Sequence, residues 1–263
     1  MSLLRRAALL AGLCSLVLPA CVGAFGSGEA RQVAIEDKLV SVFENSTPLI
    51  QYAFIANLND GRGYTAGRAG FTSGTGDMLE VIKEYQTLAA DNVLVKHLPA
   101  LLLVNGSASV AGLEGLPQDW VLAAGDARFV VAQDRVNERV YRQPARALAA
   151  TLGVRLALSR LALYEAGIQH GFGEDPDSVN KIAERASAAV QGNPAKGVDE
   201  KKWLQAFMSE RRRTLLNPAD QATATGWAAS VSRADAIQSL YDSGNFKLDQ
   251  PIKITVYGDT FTL

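Results

Sequence analysis

A chain of 263 residues with 48% hydrophobic content has apolar material for one sizeable core or two modest lobes, which excludes a disordered polymer. Lys+Arg number 26 against 27 Asp+Glu, so there is no basic excess to neutralise a nucleic-acid backbone. Two cysteines and two histidines do not make up the usual ligand sets of a zinc site, so no metal is expected.

Residues 1–24 place Arg5 and Arg6 ahead of an apolar run from Ala7 to Leu18 and then small residues, the pattern of a secretory signal peptide. The reading is a secreted protein, extracellular or periplasmic, with residues 25–263 as a single mature domain. Leu18 to Cys21, "LPAC", also has the shape of a bacterial lipoprotein box, so a lipid anchor at Cys21 is the alternative. Cys14 and Cys21 both fall in this leader, and the exported domain therefore relies on packing without a disulfide. Arg155 and Arg160 interrupt the best later apolar segment, so no membrane span is expected.

Residues 25–32 read as a linker, after which Val33, Leu39, Val40 and Phe43 share a helical face up to Glu44. Pro48 stops that helix, and a second short helix is expected over Leu49–Leu58. The stretch "NDGRGYTAGRAGFTSGTGDMLE", residues 59–80, alternates like a small twisted sheet. Asp77 and Glu80 are spaced as N-cap and capping-box partner of a helix carrying Met78, Val81, Ile82 and Tyr85. A long helical region from Trp120 to Val140 is punctuated by Pro144, and a very apolar helix is expected over Ala147–Gly167. Amphipathic helices follow near 178–190, 199–216 and 230–242, and the tail is short strand or extended chain. The fold class is mainly α, within α+β, with one small antiparallel sheet. Trp120, Trp203 and Trp227 fall in helical patterns and read as packing.

The glycine-rich stretch lacks the Gly-Lys-Ser/Thr end of a phosphate loop, and its acids do not alternate as in a calcium loop. With His97 and His170 the sole histidines, a Ser-His-acid or Cys-His nucleophile is disfavoured, and chemistry, if the chain performs any, must run on carboxylates. Glu44, at a helix C-terminus beside apolar neighbours, is placed to hold a proton near neutral pH, whereas Asp60 sits in an open turn suited to the ionised form. Two carboxyls in unlike environments are the machinery of a glycoside hydrolase.

"ENS" at Glu44–Ser46, "DGRGYT" at Asp60–Thr65, "SGTGDMLE" at Ser73–Glu80, "LPAL" at Leu98–Leu101 and "NGSAS" at Asn105–Ser109 resemble, in order, the bacterial chitosanases of glycoside hydrolase family 46. The likeness continues through "LYEAGIQHG", "SRAD" and "YGD". It implies a lysozyme-like fold of two helical lobes flanking a cleft, and endo-hydrolysis of β-1,4 bonds between glucosamine residues of chitosan with inversion. By that resemblance Glu44 is the general acid, Asp60 the general base, and Thr65 holds the attacking water. Asp77 matches a residue that grips a substrate amine. Arg62 and Tyr64 are candidate substrate contacts, with a turn charge and a core ring as their plainer readings. Arg211 and Arg233 match arginines that form a charge network behind the general acid with an acid on the central helix. That acid is Glu165 here, where the family usually has aspartate. No cofactor is implied; the partner is chitosan or glucosamine oligosaccharides, and the protein is expected to be a monomer. A non-catalytic exported carbohydrate-binding protein is the alternative from another class, and a lysozyme- or chitinase-type hydrolase the nearer one.

Overall fold

In the computed structural model, which describes residues 27–263, the chain opens on helix α1 (Ser27–Asn45). The leader, with Cys14 and Cys21, lies outside the described residues. Residues 27–32, expected as linker, form the first turns of α1; Glu29 and Arg31 are exposed there, a solvent-facing start that the apolar stripe does not mark. The Ser46 amide makes the last helical bond, to the Val42 carbonyl at 2.9 Å, and the positive φ of 53° at Ser46 then turns the chain out of the helix.

Strands β1 (Ile55–Asn57), β2 (Tyr64–Ala66) and β3 (Phe71–Thr72) form an antiparallel sheet in that order, with Ala56 opposite Thr65 and Thr65 opposite Thr72. The helix expected over Leu49–Leu58 does not form. The Tyr52 carbonyl accepts from Trp120 Nε1 and Gln133 Nε2, each at 3.0 Å, so tertiary donors take an oxygen that a helix would have used.

Helices α2 (Asp77–Leu88), α3 (Leu98–Val104), α4 (Leu116–Ala123) and α5 (Ala127–Asn137) surround the sheet. The helix expected from Trp120 to Val140 breaks between α4 and α5, where Asp126 caps α5 by accepting from the Arg128 amide. Pro144 does not punctuate. The chain runs from α5 through a π turn at Glu138–Arg142 into α6 (Gln143–Leu152), with proline in the first turn of α6, where a missing N–H is tolerated. The expected apolar helix over 147–167 is two elements: Gly153, at φ 73°, ends α6, and α7 (Ala157–His170) follows. A Cβ on Gly153 would stand 2.5 Å from the Ala195 amide nitrogen, so the close approach also requires glycine.

The three amphipathic patterns appear as α8 (Val179–Ala189), α9 (Glu200–Leu216) and α11 (Val231–Asp242), with a short α10 (Ala224–Ala229) before the last. The tail is a hairpin of β4 (Lys253–Val256) and β5 (Asp259–Thr262), so there are two small sheets where one was expected. The fold is mainly α, as its patterning implies.

Beside a small cluster of Leu215, Val231 and Ala234, two large hydrophobic clusters fill the interior of the described residues. One gathers α1, α7, α8, α9, α11 and β4 around Phe43, Trp203 and Phe207; the other gathers the first sheet and α2 to α5 around Phe71, Trp120 and Phe129. Helices α1 and α7 serve both, with Val40 and Tyr164 in the second cluster and Leu39, Phe43 and Leu161 in the first. Trp120 and Trp203 are fully buried, as packing residues should be.

Candidate active site

Phe43 faces the core, so the next residue of α1, Glu44, turns toward the junction of the two clusters, its side chain 17% exposed. Its Oε1 accepts from Arg233 Nη2 of α11 at 2.6 Å. Arg233 Nε donates to Glu165 Oε1 of α7 at 2.6 Å, and Glu165 Oε2 pairs with Arg211 Nη1 of α9. Arg211 Nη2 reaches Gln169 Oε1 at 2.8 Å, and the Arg233 guanidinium lies 5.8 Å from the Phe43 ring centre. Two cations and two carboxylates from four helices thus form one chain, closed inside and open at Glu44. Burial raises the Glu165 carboxyl, but the charges and hydrogen bonds of Arg211 and Arg233 outweigh it and hold the group down at about 2. Glu165 therefore stays ionised down to about pH 2, and its charge stays matched to the two arginines.

The space around Glu44 depends on one glycine. A Cβ at Gly70, which sits at φ 64°, would stand 3.2 Å from Glu44 Oε2 and 3.5 Å from Thr65 Cγ2. Glycine is favoured there twice over, for the left-handed backbone and for the tight approach of Glu44 Oε2, while Thr65 would be left in ordinary contact. Thr65, on β2, is buried, and its Oγ1 has no protein partner.

Asp60 lies in the loop between β1 and β2. Its Oδ2 pairs with Arg62 Nη2 at 2.6 Å and its Oδ1 accepts from the Arg62 amide at 3.2 Å, so Arg62 does fix the turn. The flank of the site is an interlocked glycine loop. Gly74 donates to the Arg62 carbonyl at 3.0 Å, and Gly106 donates to the Gly74 carbonyl at 2.8 Å. A Cβ on Gly74 would be 2.4 Å from the Ser107 carbonyl oxygen, which is why "SGTGD" and "NGSAS" can lie against each other. Tyr64 is half-buried, and its amide donates to Ser73 Oγ at 3.0 Å.

Asp77 is not the N-cap. Gly76, at φ 87°, occupies that position, and Asp77 is the first residue of α2. Its Oδ1 accepts from the Thr72 amide at 2.7 Å, Thr75 Oγ1 at 2.9 Å and the Met78 amide at 2.9 Å, while its Oδ2 accepts from the Tyr141 hydroxyl at 2.5 Å. Glu80 is no capping-box partner; it pairs with Lys83 at 3.0 Å. The left-handed glycine turns the chain into the helix by itself, which frees Asp77 to reach backward. Burial raises the Asp77 carboxyl and these four donors oppose it.

Sequence reasoning missed Tyr141, which the π turn presents to Asp77 from within an unremarkable helical pattern. It also missed His170, which packs edge-on to Trp227 at 4.7 Å between centroids. Burial, with the Arg211 charge added and Glu165 opposing, pushes its imidazole down to about 3, so it is neutral. No apolar or charge periodicity marks either residue.

The model of glycosyl hydrolase family 46 matches residues 38–252, which is most of the chain and includes every charged residue of the network. The chain belongs to glycosyl hydrolase family 46. It is accordingly a glycoside hydrolase. A Bacillus subtilis (strain 168) chitosanase is 42% identical over 220 residues, covering 83% of this chain and 79% of that protein. A chitosanase of a Streptomyces species is 42% identical over 238 residues, covering 89% and 81%. Among solved structures, the family 46 chitosanase of Gynuella sunshinyii in complex with chitotetraose superposes with a TM-score of 0.86 at 46% identity, covering 89% of this chain and 98% of that one. A mutant chitosanase of Bacillus subtilis complexed with 6 GlcN gives 0.85 at 40% identity, covering 88% and 97%. These family 46 structures share the mainly helical fold with its small antiparallel sheet.

Proposed function

We propose that this family 46 hydrolase is an endo-acting, inverting chitosanase, with Glu44 as general acid and Asp60 as general base. Glu44 protonates the glycosidic oxygen as the bond to the anomeric carbon breaks. Asp60 takes a proton from the water that attacks that carbon from the opposite face, and Thr65 Oγ1 holds this water. The observation that carries the reading is the arrangement at Gly70. The partly exposed end of the buried charge network and a buried hydroxyl with no protein partner meet the same glycine.

The substrate reading rests on the relatives, named as chitosanases, and on their complexes with chitotetraose and GlcN. Chitosan is a polyamine, and a carboxylate held rigidly by four donors, as Asp77 is, suits an ammonium better than an acetamide. Arg62 and Tyr64 border the same loop and are proposed as substrate contacts of smaller weight. We also read the protein as a monomer exported by residues 1–24. An exported chain beginning just after Ala24 supports release, and palmitate labelling at Cys21 supports anchoring.

The test is reducing-end release and viscosity loss on fully deacetylated chitosan, with Glu44→Gln beside the wild type. The expected result is internal cleavage by the wild type and at least about a hundredfold lower kcat for the variant. A first-formed product in the α-anomeric configuration, read by proton NMR, supports inversion. A folded wild type that leaves the polymer whole points to a carbohydrate-binding protein, and cleavage restricted to acetylated polymer points to a lysozyme- or chitinase-type enzyme.

A further inference from the structure

The tail hairpin carries a residue that turn chemistry does not explain. Val256 pairs with Asp259, so Tyr257 and Gly258 are the two residues of its turn, at φ 53° and 91°. Positive φ at both positions is the type I′ geometry, which favours Asn-Gly or Gly-Gly; a tyrosine there is strained. Strain of this kind persists where the surroundings impose it, and an observed outlier licenses a search for its purpose.

The surroundings are those of Arg233. Strand β4 packs on α11, and the Tyr257 amide donates to the hydroxyl of Ser232, the neighbour of Arg233, at 3.3 Å. Burial raises the Tyr257 phenol, and the charge of the nearby Arg233 opposes this while Glu44 and Glu165 add to it. Arg233 is otherwise held by Glu165 on Nε, by Glu44 on Nη2 and by the ring of Phe43. Tyr257 is 44% exposed, whereas Arg233 is buried.

We infer that Tyr257 is a positioning residue for the proposed general acid: held in a strained turn, its phenol fixes the Arg233 guanidinium that orients Glu44. This rests on the reading of Glu44 as general acid. The phenol oxygen is a further acceptor for the arginine, so the guanidinium cannot swing away from Glu44 toward water when the cleft is open. The tyrosine itself transfers no proton.

Stability and activity move in opposite directions if this is right. Tyr257→Asn relieves the left-handed strain and removes the phenol; its Tm is expected to stay level or rise by a few degrees while kcat on deacetylated chitosan oligomers falls about tenfold. Tyr257→Phe keeps the ring and loses only the hydroxyl, and is expected to lose about fivefold in kcat with KM unchanged. In a Glu44→Gln background, Tyr257→Phe should cost no further activity. A rise in KM with kcat unchanged would make the ring a sugar contact and overturn the inference. A fall in Tm that parallels the loss of activity in Tyr257→Asn would make the residue structural and overturn it too. If Glu44→Gln is dead and both Tyr257 variants are fully active, this inference alone fails. If Glu44→Gln retains full activity, the general-acid reading fails first.

Discussion

Two arginine networks cross the interior of this protein, and they differ in where they end. In the first, Arg211, Glu165 and Arg233 lead to Glu44 at the site. In the second, Asp37 of α1 accepts from Arg68 Nη2 at 2.6 Å and from Arg142, while Arg142 also pairs with Glu36 and Arg68 with Asp134. The second network ties α1 to the sheet loop, to α5 and to the π turn, and the Tyr52 and Tyr164 hydroxyls close it onto Asp134 and Asn137 at 2.8 and 2.9 Å. The components are alike, and Glu44 and Asp37 are equally exposed at 17%, yet the first network ends on the proposed general acid whereas the second joins elements of the fold to one another. A buried ion pair is poor proof of stability, because removing its charges in a matched way is often neutral whereas removing one partner is costly. What separates the networks is which property a single truncation should damage.

The largest effect is expected from Glu165→Ala, which removes the carboxylate shared by Arg211 and Arg233 and leaves Glu44 as the one carboxylate paired with them among the described residues. Unfolding in denaturant should show a loss of about 3–5 kcal/mol, and the remaining folded protein should be at least a hundredfold less active. Next is Gly70→Ala, which adds left-handed strain and pushes on Glu44 Oε2. A kcat decrease of about ten- to a hundredfold is expected, with a stability loss of only about 1 kcal/mol. Asp37→Ala sharpens the contrast. Arg68 keeps Asp134 and Arg142 keeps Glu36, so the cost should be about 2 kcal/mol, with kcat per folded molecule within about twofold of wild type.

The smallest effect is one of pH. The folded His170 imidazole is held near 3, below its unfolded value of about 6.5, so the unfolded chain binds the proton first. The stabilisation from a neutral His170 is complete above about pH 6.5 and is lost as pH falls toward 3. Glu165 adds a second loss below about pH 4.5, because its folded carboxyl is held down at about 2. In His170→Phe the first loss disappears, and the Tm gap between pH 7 and pH 4 should narrow by a few degrees in a thermal scan. An unchanged gap would mean that His170 contributes nothing to acid sensitivity.

Much of the helical half was legible in the sequence because amphipathic spacing is local: α8, α9 and α11 fall on the predicted stretches. The glycine-rich stretch declared its sheet by alternation, and the ordered motifs pointed to the family. Boundaries were lost where distant groups decide them. Trp120 and Gln133 undo a helix at Tyr52, Gly76 displaces Asp77 from its cap, and the π turn carries the chain past Pro144. The site residues were recognisable by motif, but their partners Tyr141, His170 and Tyr257 were not, since nothing in their local pattern differs from ordinary core or turn.

The sequence by itself determined the fold class and the family, and it singled out the carboxylates proposed for the chemistry, because these readings rest on periodicity and short motifs that neighbouring residues carry together. Only the tertiary structure decided that Glu44, Glu165, Arg211 and Arg233 form one chain, that Gly70 opens the space before Glu44, and that a strained tyrosine near the C-terminus stands behind it. The physical reason is range. A helix is written in contacts three or four residues apart, whereas Arg233 and Glu44 are separated by 189 positions and meet through the packing of α1, α7 and α11.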